Sequence, residues 1–501
     1  MSKKMPIVYG ALTLTGVNLL LRFVGTSFQV YISNQLGPSV VGLLQLILSI
    51  NMLSMTAGIA GIRTTAMYLT AEELGKKRNQ NLPWVMTGCF LYCAVTSGLL
   101  CLTLHTFAPT IAREWIGNPD ALPALRTFAS FLPVSCMCGV MTGYFTAANR
   151  IGTLAAVEVA EQLFSMVVTI LLFSLLPHAG PAEACAAVVF GSCIGNTLTL
   201  ICLIILYLRS KDSPGPRLPV VRRILNTAVP LALADDLKAG ISSVENLMVP
   251  KRLALFPGIA DPLASFGILS GMVFPVMMFP AAILFSLSEL LIPELARCTA
   301  SGSRKRIRYL VRRNLRVCLF YGLCCGCILF LVAEPLCHAL YPGIAVAGYL
   351  KWFSCLVPML YCDAVADGMT KGLGQQTYCV RYNILTNAMD VCLLFFLLPK
   401  YGLTGYFISF LITHLLNFLL SLRRLLIVSG IRVNFYIPAL TTAAALIALW
   451  GAGAFTGWIR QVFAFFGLFF SISYFFGVLG PGDLQWLKGL LFPNTKNRRP
   501  S

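Results

Sequence analysis

The sequence predicts an all-α integral membrane protein of about 14 transmembrane helices, arranged as two six-helix lobes related by a pseudo-twofold axis plus two C-terminal helices. Three observations carry this prediction. Of 501 residues, 57% are hydrophobic and only 11% charged, with a mean hydropathy of +0.79, whereas soluble domains carry roughly 25% charged residues. Apolar runs long enough to cross a bilayer recur along the whole chain. The basic residues gather in alternate short loops between those runs, the pattern that orients membrane proteins.

A span needs about 20 apolar residues. Candidates run over 6–34, 38–69, 82–107, 122–147, 151–176, 182–208, 222–250, 263–292, 308–334, 347–370, 378–399, 403–428, 434–456 and 459–480. Lys3 and Lys4 before the first run imitate a leader peptide, but the run is too long, holds Arg22 and lacks a small-residue cleavage site. With both termini cytoplasmic, 28 of the 38 basic residues fall inside, seven fall outside, and Arg22, Arg63 and Lys238 lie within spans. That asymmetry sets the expected orientation in the cell (cytoplasmic) membrane. The formal charge of +19 is therefore a topology signal, and no nucleic-acid partner is expected. Most of the eighteen cysteines sit inside apolar runs without ligand spacing, so neither a metal site nor a disulfide framework is expected.

A weak internal repeat organises the spans. Val41-Gly42-Leu43-Leu44 opens span 2, and Phe266-Gly267-Ile268-Leu269 recurs in span 8, about 225 residues later. The expected domains are an N-lobe at 1–210, a C-lobe at 211–430, an appendix of two spans at 431–482 and a basic cytoplasmic tail at 483–501. An even repeat unit implies parallel halves about an axis near the membrane normal.

The candidate functional residues follow from polar stripes on apolar helices. Thr15, Asn18, Arg22, Thr26, Gln29 and Ser33 are spaced 3, 4, 4, 3 and 4 residues, which places them on one helix face. A spanning helix satisfies its own backbone and needs no such stripe, and an intramembrane arginine is costly. The stripe therefore points to a transport pathway. Arg63 shares a face of span 2 with Gln45, Ser49 and Thr56, and suits either a ligand role or snorkelling to headgroups. Asp235, Lys238, Ser242 and Glu245 stripe span 7, where Asp235 and Lys238 are placed to neutralise each other. Glu158 and Glu161, with Gln162, and the set Asn383, Asn387 and Asp390 are gate or coupling candidates, while span 10 adds Asp363 and Asp367. Na⁺ and H⁺ both remain open as coupling ion. No catalytic motif and no sizeable extramembrane portion is present, so the chain is not expected to be an enzyme, and no cofactor is expected.

Several stretches resemble the polysaccharide-flippase branch of the MOP superfamily, most closely the stage V sporulation protein B group. They are Ala71-Glu72-Glu73-Leu74-Gly75, Gly143-Tyr144-Phe145, Glu161-Gln162, the run from Glu245 to Leu253, Gly267 to Gly271 with Pro280 and Pro293, Gly372-Leu373-Gly374, and Leu398 to Gly405. Together they cover about residues 10–430. The resemblance implies two six-helix lobes around a V-shaped cavity that moves a lipid-linked sugar by alternating access. In the related lipid II flippases, arginines of the first two helices line a cationic cavity for the pyrophosphate. Arg22, in Leu21-Arg22-Phe23-Val24-Gly25, matches the first of them, whereas the next arginine and its neighbouring acid fall on Phe28 and Gln29. Glu245 stands where the sporulation group usually has aspartate. The two extra C-terminal spans fit a groove for a polyprenyl tail.

The expected function is translocation of a polyprenyl-pyrophosphate-linked glycan. Arg22, Asn18, Gln29, Arg63, Lys238, Asp235 and Glu245 are the substrate-binding candidates. The expected partners are the anionic lipid-linked glycan, membrane lipids and cell-wall synthesis proteins. The alternatives are an ion-coupled multidrug exporter on the same fold and a non-transporting scaffold of an envelope-synthesis complex.

Overall fold

The computed structural model describes residues 4–76, 78–176, 180–209, 220–431 and 436–477. The tail expected at 483–501 lies outside the described residues, and so does the side chain of Asn18. Among the described residues there is no strand. Among the described residues eight helices are long and apolar enough to cross a membrane, or nine when Pro262–Met278 and Ala281–Ala300 are taken as one crossing.

The helices are α1 (Lys4–Ile59), α2 (Ile62–Gly75), α3 (Leu82–Thr110), α4 (Leu122–Ala147), α5 (Ile151–Leu175), α6 (Pro181–Leu208), α7 (Val221–Leu253), α8 (Pro262–Gly267), α9 (Phe274–Met278), α10 (Ala281–Ala300), α11 (Arg304–Leu340), α12 (Ala347–Ser354), α13 (Val357–Gly372), α14 (Gln376–Ser429), α15 (Tyr436–Ala452) and α16 (Trp458–Phe475). Two of these each hold two of the spans read from the sequence. α1 breaks at Gly37, whose φ of 75° is open to glycine and strained for other residues. Pro38 follows and has no N–H to continue the ladder. α14 breaks likewise at Gly402.

The chain packs as two units. The first comprises Met1–Ala282 with Asn383–Thr413. Its interior is formed where α4 packs on α3 and α6, burying Leu132, Met141 and Phe145 completely. The repeat motif has a physical reason here. A Cβ on Gly42 would meet the Leu263 carbonyl at 2.1 Å, and one on Gly267 would meet the Pro38 carbonyl at 2.1 Å. Gly42 and Gly267 are repeat equivalents, and so are Pro38 and Leu263. Each glycine thus meets the counterpart of the other's partner, a self-complementary contact of the kind a local twofold produces. Beside it, the Ser39 hydroxyl bonds Asp261, whose other carboxylate oxygen caps α8 at Ala264 N, 2.8 Å.

The second unit comprises Ile283–Tyr382 with His414–Ser501. α11 packs along α13, and α15 and α16 lie against α11. Ala444, Ala448 and Ala452 are spaced four apart on α15 and fully buried, with Phe465 and Phe469 of α16 and with Leu323 and Cys327 of α11. Small residues at this spacing let membrane helices approach closely. The Phe320 and Phe469 rings stack at 4.5 Å.

Candidate functional site

All the polar features that follow belong to the first unit unless stated. The stripe on α1 divides into two parts. Gln29 Nε2 donates to the Gly271 carbonyl at 3.2 Å, and Ser33 Oγ reaches the same oxygen at 3.5 Å. Gly271 lies in a π-helical turn, Ile268–Val273, and such turns disturb the regular ladder. The lower stripe therefore holds helices together. Arg22, about two turns before Gln29 and three before Ser33, is exposed among exposed Leu20 and Phe23.

A first carboxylate cluster forms against this stripe. A cavity of about 430 Å³ is bounded by Leu21, Phe28, Glu158, Glu161, Gln162 and Asn196, among others. Thr199 Oγ1 donates to Glu161 at 2.7 Å, and Gln162 Nε2 donates to the Leu21 carbonyl at 3.4 Å. Arg63 is exposed at the start of α2 and acts electrostatically on Glu158. Glu158, Glu161 and Arg63, separate candidates in the sequence, thus share one neighbourhood.

The second cluster joins residues far apart in the chain. Glu245 of α7 and Asp390 of α14 act on one another electrostatically. Asp390 is 7% exposed and accepts from Ser409 Oγ at 2.6 Å and Thr413 Oγ1 at 3.1 Å. Tyr406 is buried beside both acids. Asn387 lies one turn before Asp390 and is half-buried. Two neighbouring carboxyl groups in a dry place repel one another when both are ionised, and a proton or a monovalent cation relieves that repulsion. Ser409 and Thr413, four apart on one face, are functional candidates the sequence reading missed; their spacing was the available signal.

The remaining stripe of α7 behaves differently. Asp235 and Lys238 are both exposed and form no ion pair with each other among the described residues. Their neighbour Asp236 lines a cavity of about 780 Å³ with mainly apolar walls, including Leu53, Leu237, Val244 and Val391, and with Lys251 and Arg252. Lys251 donates to the Glu114 carbonyl. Arg252 donates to the Phe395 carbonyl at 3.0 and 3.1 Å and stacks over the Phe395 ring.

The structure adds an ionic cluster at the opposite end of α7. Arg223 binds Glu72 at 2.8 Å and Glu73 at 2.9 Å. Asn81 Nδ2 donates to Glu73 at 2.8 Å, and Lys76 pairs with Glu72. The hydrogen bond from Lys76, then that from Arg223, hold Glu72 below the usual carboxylate range. Burial works against the charge of Glu73, but hydrogen bonds from Asn81 and Arg223 outweigh it and lower its pKa too. In the second unit, Asn417 Nδ2 donates to Asp363 at 2.8 Å and Lys371 pairs with Asp367 at 2.7 Å.

The fold and these clusters are those of a helical, multi-pass membrane protein. The chain belongs to the polysaccharide biosynthesis protein family, whose model matches residues 7–299. It is 22% identical over 416 residues to the stage V sporulation protein B of Bacillus subtilis (strain 168), covering 80% of each chain. It is similar in fold to the lipid II flippase MurJ in an inward closed conformation, with a TM-score of 0.74 at 13% identity, covering 93% of this chain and 98% of that one. A multidrug resistance MATE family transporter of the MOP superfamily, in an inward-facing conformation, matches with a TM-score of 0.67 at 13% identity, over 84% and 99% of the two chains.

Proposed function

We propose that the protein moves a polyprenyl-pyrophosphate-linked glycan across the cytoplasmic membrane by alternating access, with both termini in the cytoplasm. The observation that carries this reading is Arg22, an exposed cation amid apolar side chains on α1, next in the chain to Leu21, which lines a cavity with Glu158 and Glu161. A guanidinium offers phosphate a planar fork of donors, and the energetic cost of placing it in a membrane helix is compensated when an anion passes. Arg63 and Lys238, both exposed, supply further positive charge along the route. Asn18 and Asp235 are stripe positions that suit sugar hydroxyls. Family membership in polysaccharide biosynthesis supports a glycan cargo.

Coupling is assigned to Glu245 and Asp390 with Ser409 and Thr413. This cluster takes either one proton or one Na⁺, and exchanging the bound cation alters how α7 is held against α14. Glu158 and Glu161 serve as a gate beside the entry of Arg63.

The class of cargo is tested by reconstituting the protein in vesicles loaded with a polyprenyl-pyrophosphate glycan lipid, and separately by drug-efflux measurements in cells. Translocation of the glycan lipid without drug resistance is the expected outcome. Drug efflux without glycan-lipid movement would assign the chain to the exporter class, and neither activity, with envelope assembly still dependent on the protein, would assign it to a scaffold.

A further inference from the structure

We infer that the second unit binds the phosphate headgroup of an anionic membrane phospholipid at the N-terminal end of α11. With 37 residues, α11 is about 55 Å long at 1.5 Å per residue, whereas the hydrocarbon core is about 30 Å thick. Several of its turns therefore extend beyond the hydrocarbon. Arg304, Arg308 and Arg312 recur every four residues on those turns and share one face. All three are exposed, and none of their side chains has a hydrogen bond or an acid partner among the described residues. The nearby Glu294 is already engaged by Arg306 at 2.5 Å and approached by Arg297 at 4.0 Å. The local acid is thus committed elsewhere, and the arginine stripe stays unneutralised.

Orientation in the membrane requires only that positive charge be present in a loop, and a solvated brush of side chains would meet that need. Here the charge borders a built concavity. A cavity of about 470 Å³ lies where the α10–α11 turn meets the ends of α13 and α14. Arg304 and Arg308 form part of its wall, and Ile307, Leu373 and Ile427 form an apolar part. The Arg308 Nη2 atom lies 3.4 Å from the position a Cβ would take on Gly430, so a side chain there would crowd the guanidinium. Two guanidinium forks suit a phosphate, and the apolar wall suits the glycerol and the first methylenes of an acyl chain. Basic pockets at helix ends at a membrane surface bind anionic headgroups in this way. A zwitterionic headgroup carries its own cation, which the stripe repels. This inference does not depend on the glycan-transport reading.

Native mass spectrometry of the purified full chain, titrated with phosphatidylglycerol, phosphatidylcholine and inorganic phosphate, tests it. Phosphatidylglycerol is expected to be retained, phosphatidylcholine to be lost, and millimolar phosphate not to displace the lipid. At about fivefold per arginine, the Arg304→Gln/Arg308→Gln double variant should bind phosphatidylglycerol about thirtyfold more weakly. Arg150→Gln, at the exposed α4–α5 turn, should bind as wild type. If the double variant does not fold, Arg312→Gln alone should lower affinity about fivefold. Equal retention of phosphatidylcholine, displacement by phosphate, or unchanged affinity in the folded variants would overturn the assignment.

Discussion

Asp390 shows most clearly what a single residue does in this protein. It is buried and receives two hydroxyl hydrogen bonds while the Glu245 carboxyl acts on it electrostatically. The pair must hold a cation or a proton to coexist in so dry a place. Asp390→Asn keeps the shape and the hydroxyl contacts but removes one exchangeable charge. Transport by this variant is expected to lose its response to an imposed Na⁺ or proton gradient while the protein still inserts, as read from vesicle flux with and without the gradient. Gradient-driven flux at the wild-type level would remove the coupling role. Helical spacing made Asp390 and Glu245 visible as polar faces of separate spans, but spacing acts only within one helix. Nothing local to either residue encodes that α7 and α14 meet there. The same limit hid Thr199, which only the packing of α6 on α5 brings to Glu161.

At the scale of elements, polar faces have divided duties. Gln29 and Ser33 bind one helix to a π-helical turn, whereas Arg22 on the same stripe is exposed. The glycine pair on α1 and α8 was legible as a repeated motif, and the structure supplies its cause in the mutual approach of two backbones. The ionic cluster of α2 and α7 was legible only in part. Ala71 to Gly75 stood out as a motif, but the pairing of its acids with Arg223 depends on α7 starting beside the end of α2. Removing one partner of such a half-exposed network costs about 1–2 kcal/mol, between the values for surface and buried pairs. Arg223→Gln should therefore shift the open-to-closed ratio at this end of α2 and α7 by about five- to thirtyfold, read as faster hydrogen exchange in residues 70–76 and 221–225. Unchanged exchange would mean the ion pairs do not hold these ends together. The pH dependence follows from the lowered pKa values of Glu72 and Glu73. A carboxylate with a depressed pKa stabilises the closed contact above its ordinary value near 4.3 and loses that contribution as pH falls through its lowered value. The contact should persist from neutral pH down to that ordinary value and open only as pH falls below it.

For the whole molecule, composition and the periodic recurrence of apolar runs already define a multi-pass helical protein, because a bilayer admits few alternatives to the α-helix. The breaks at Gly37 and Gly402 fall between the spans read at 6–34 and 38–69 and at 378–399 and 403–428, and each joins two helices across a kink. The proposed glycan-lipid cargo rests most heavily on Arg22. The direct measurement is the appearance of a polyprenyl-pyrophosphate glycan headgroup in the far leaflet of vesicles holding wild-type protein, Arg22→Lys or Arg22→Ala. Arg22→Lys keeps the charge but not the two-donor fork, so a partial rate is expected, and Arg22→Ala should fall at least a hundredfold at equal insertion. Wild-type translocation by a normally inserted Arg22→Ala protein would contradict the claim that this helix carries the phosphate.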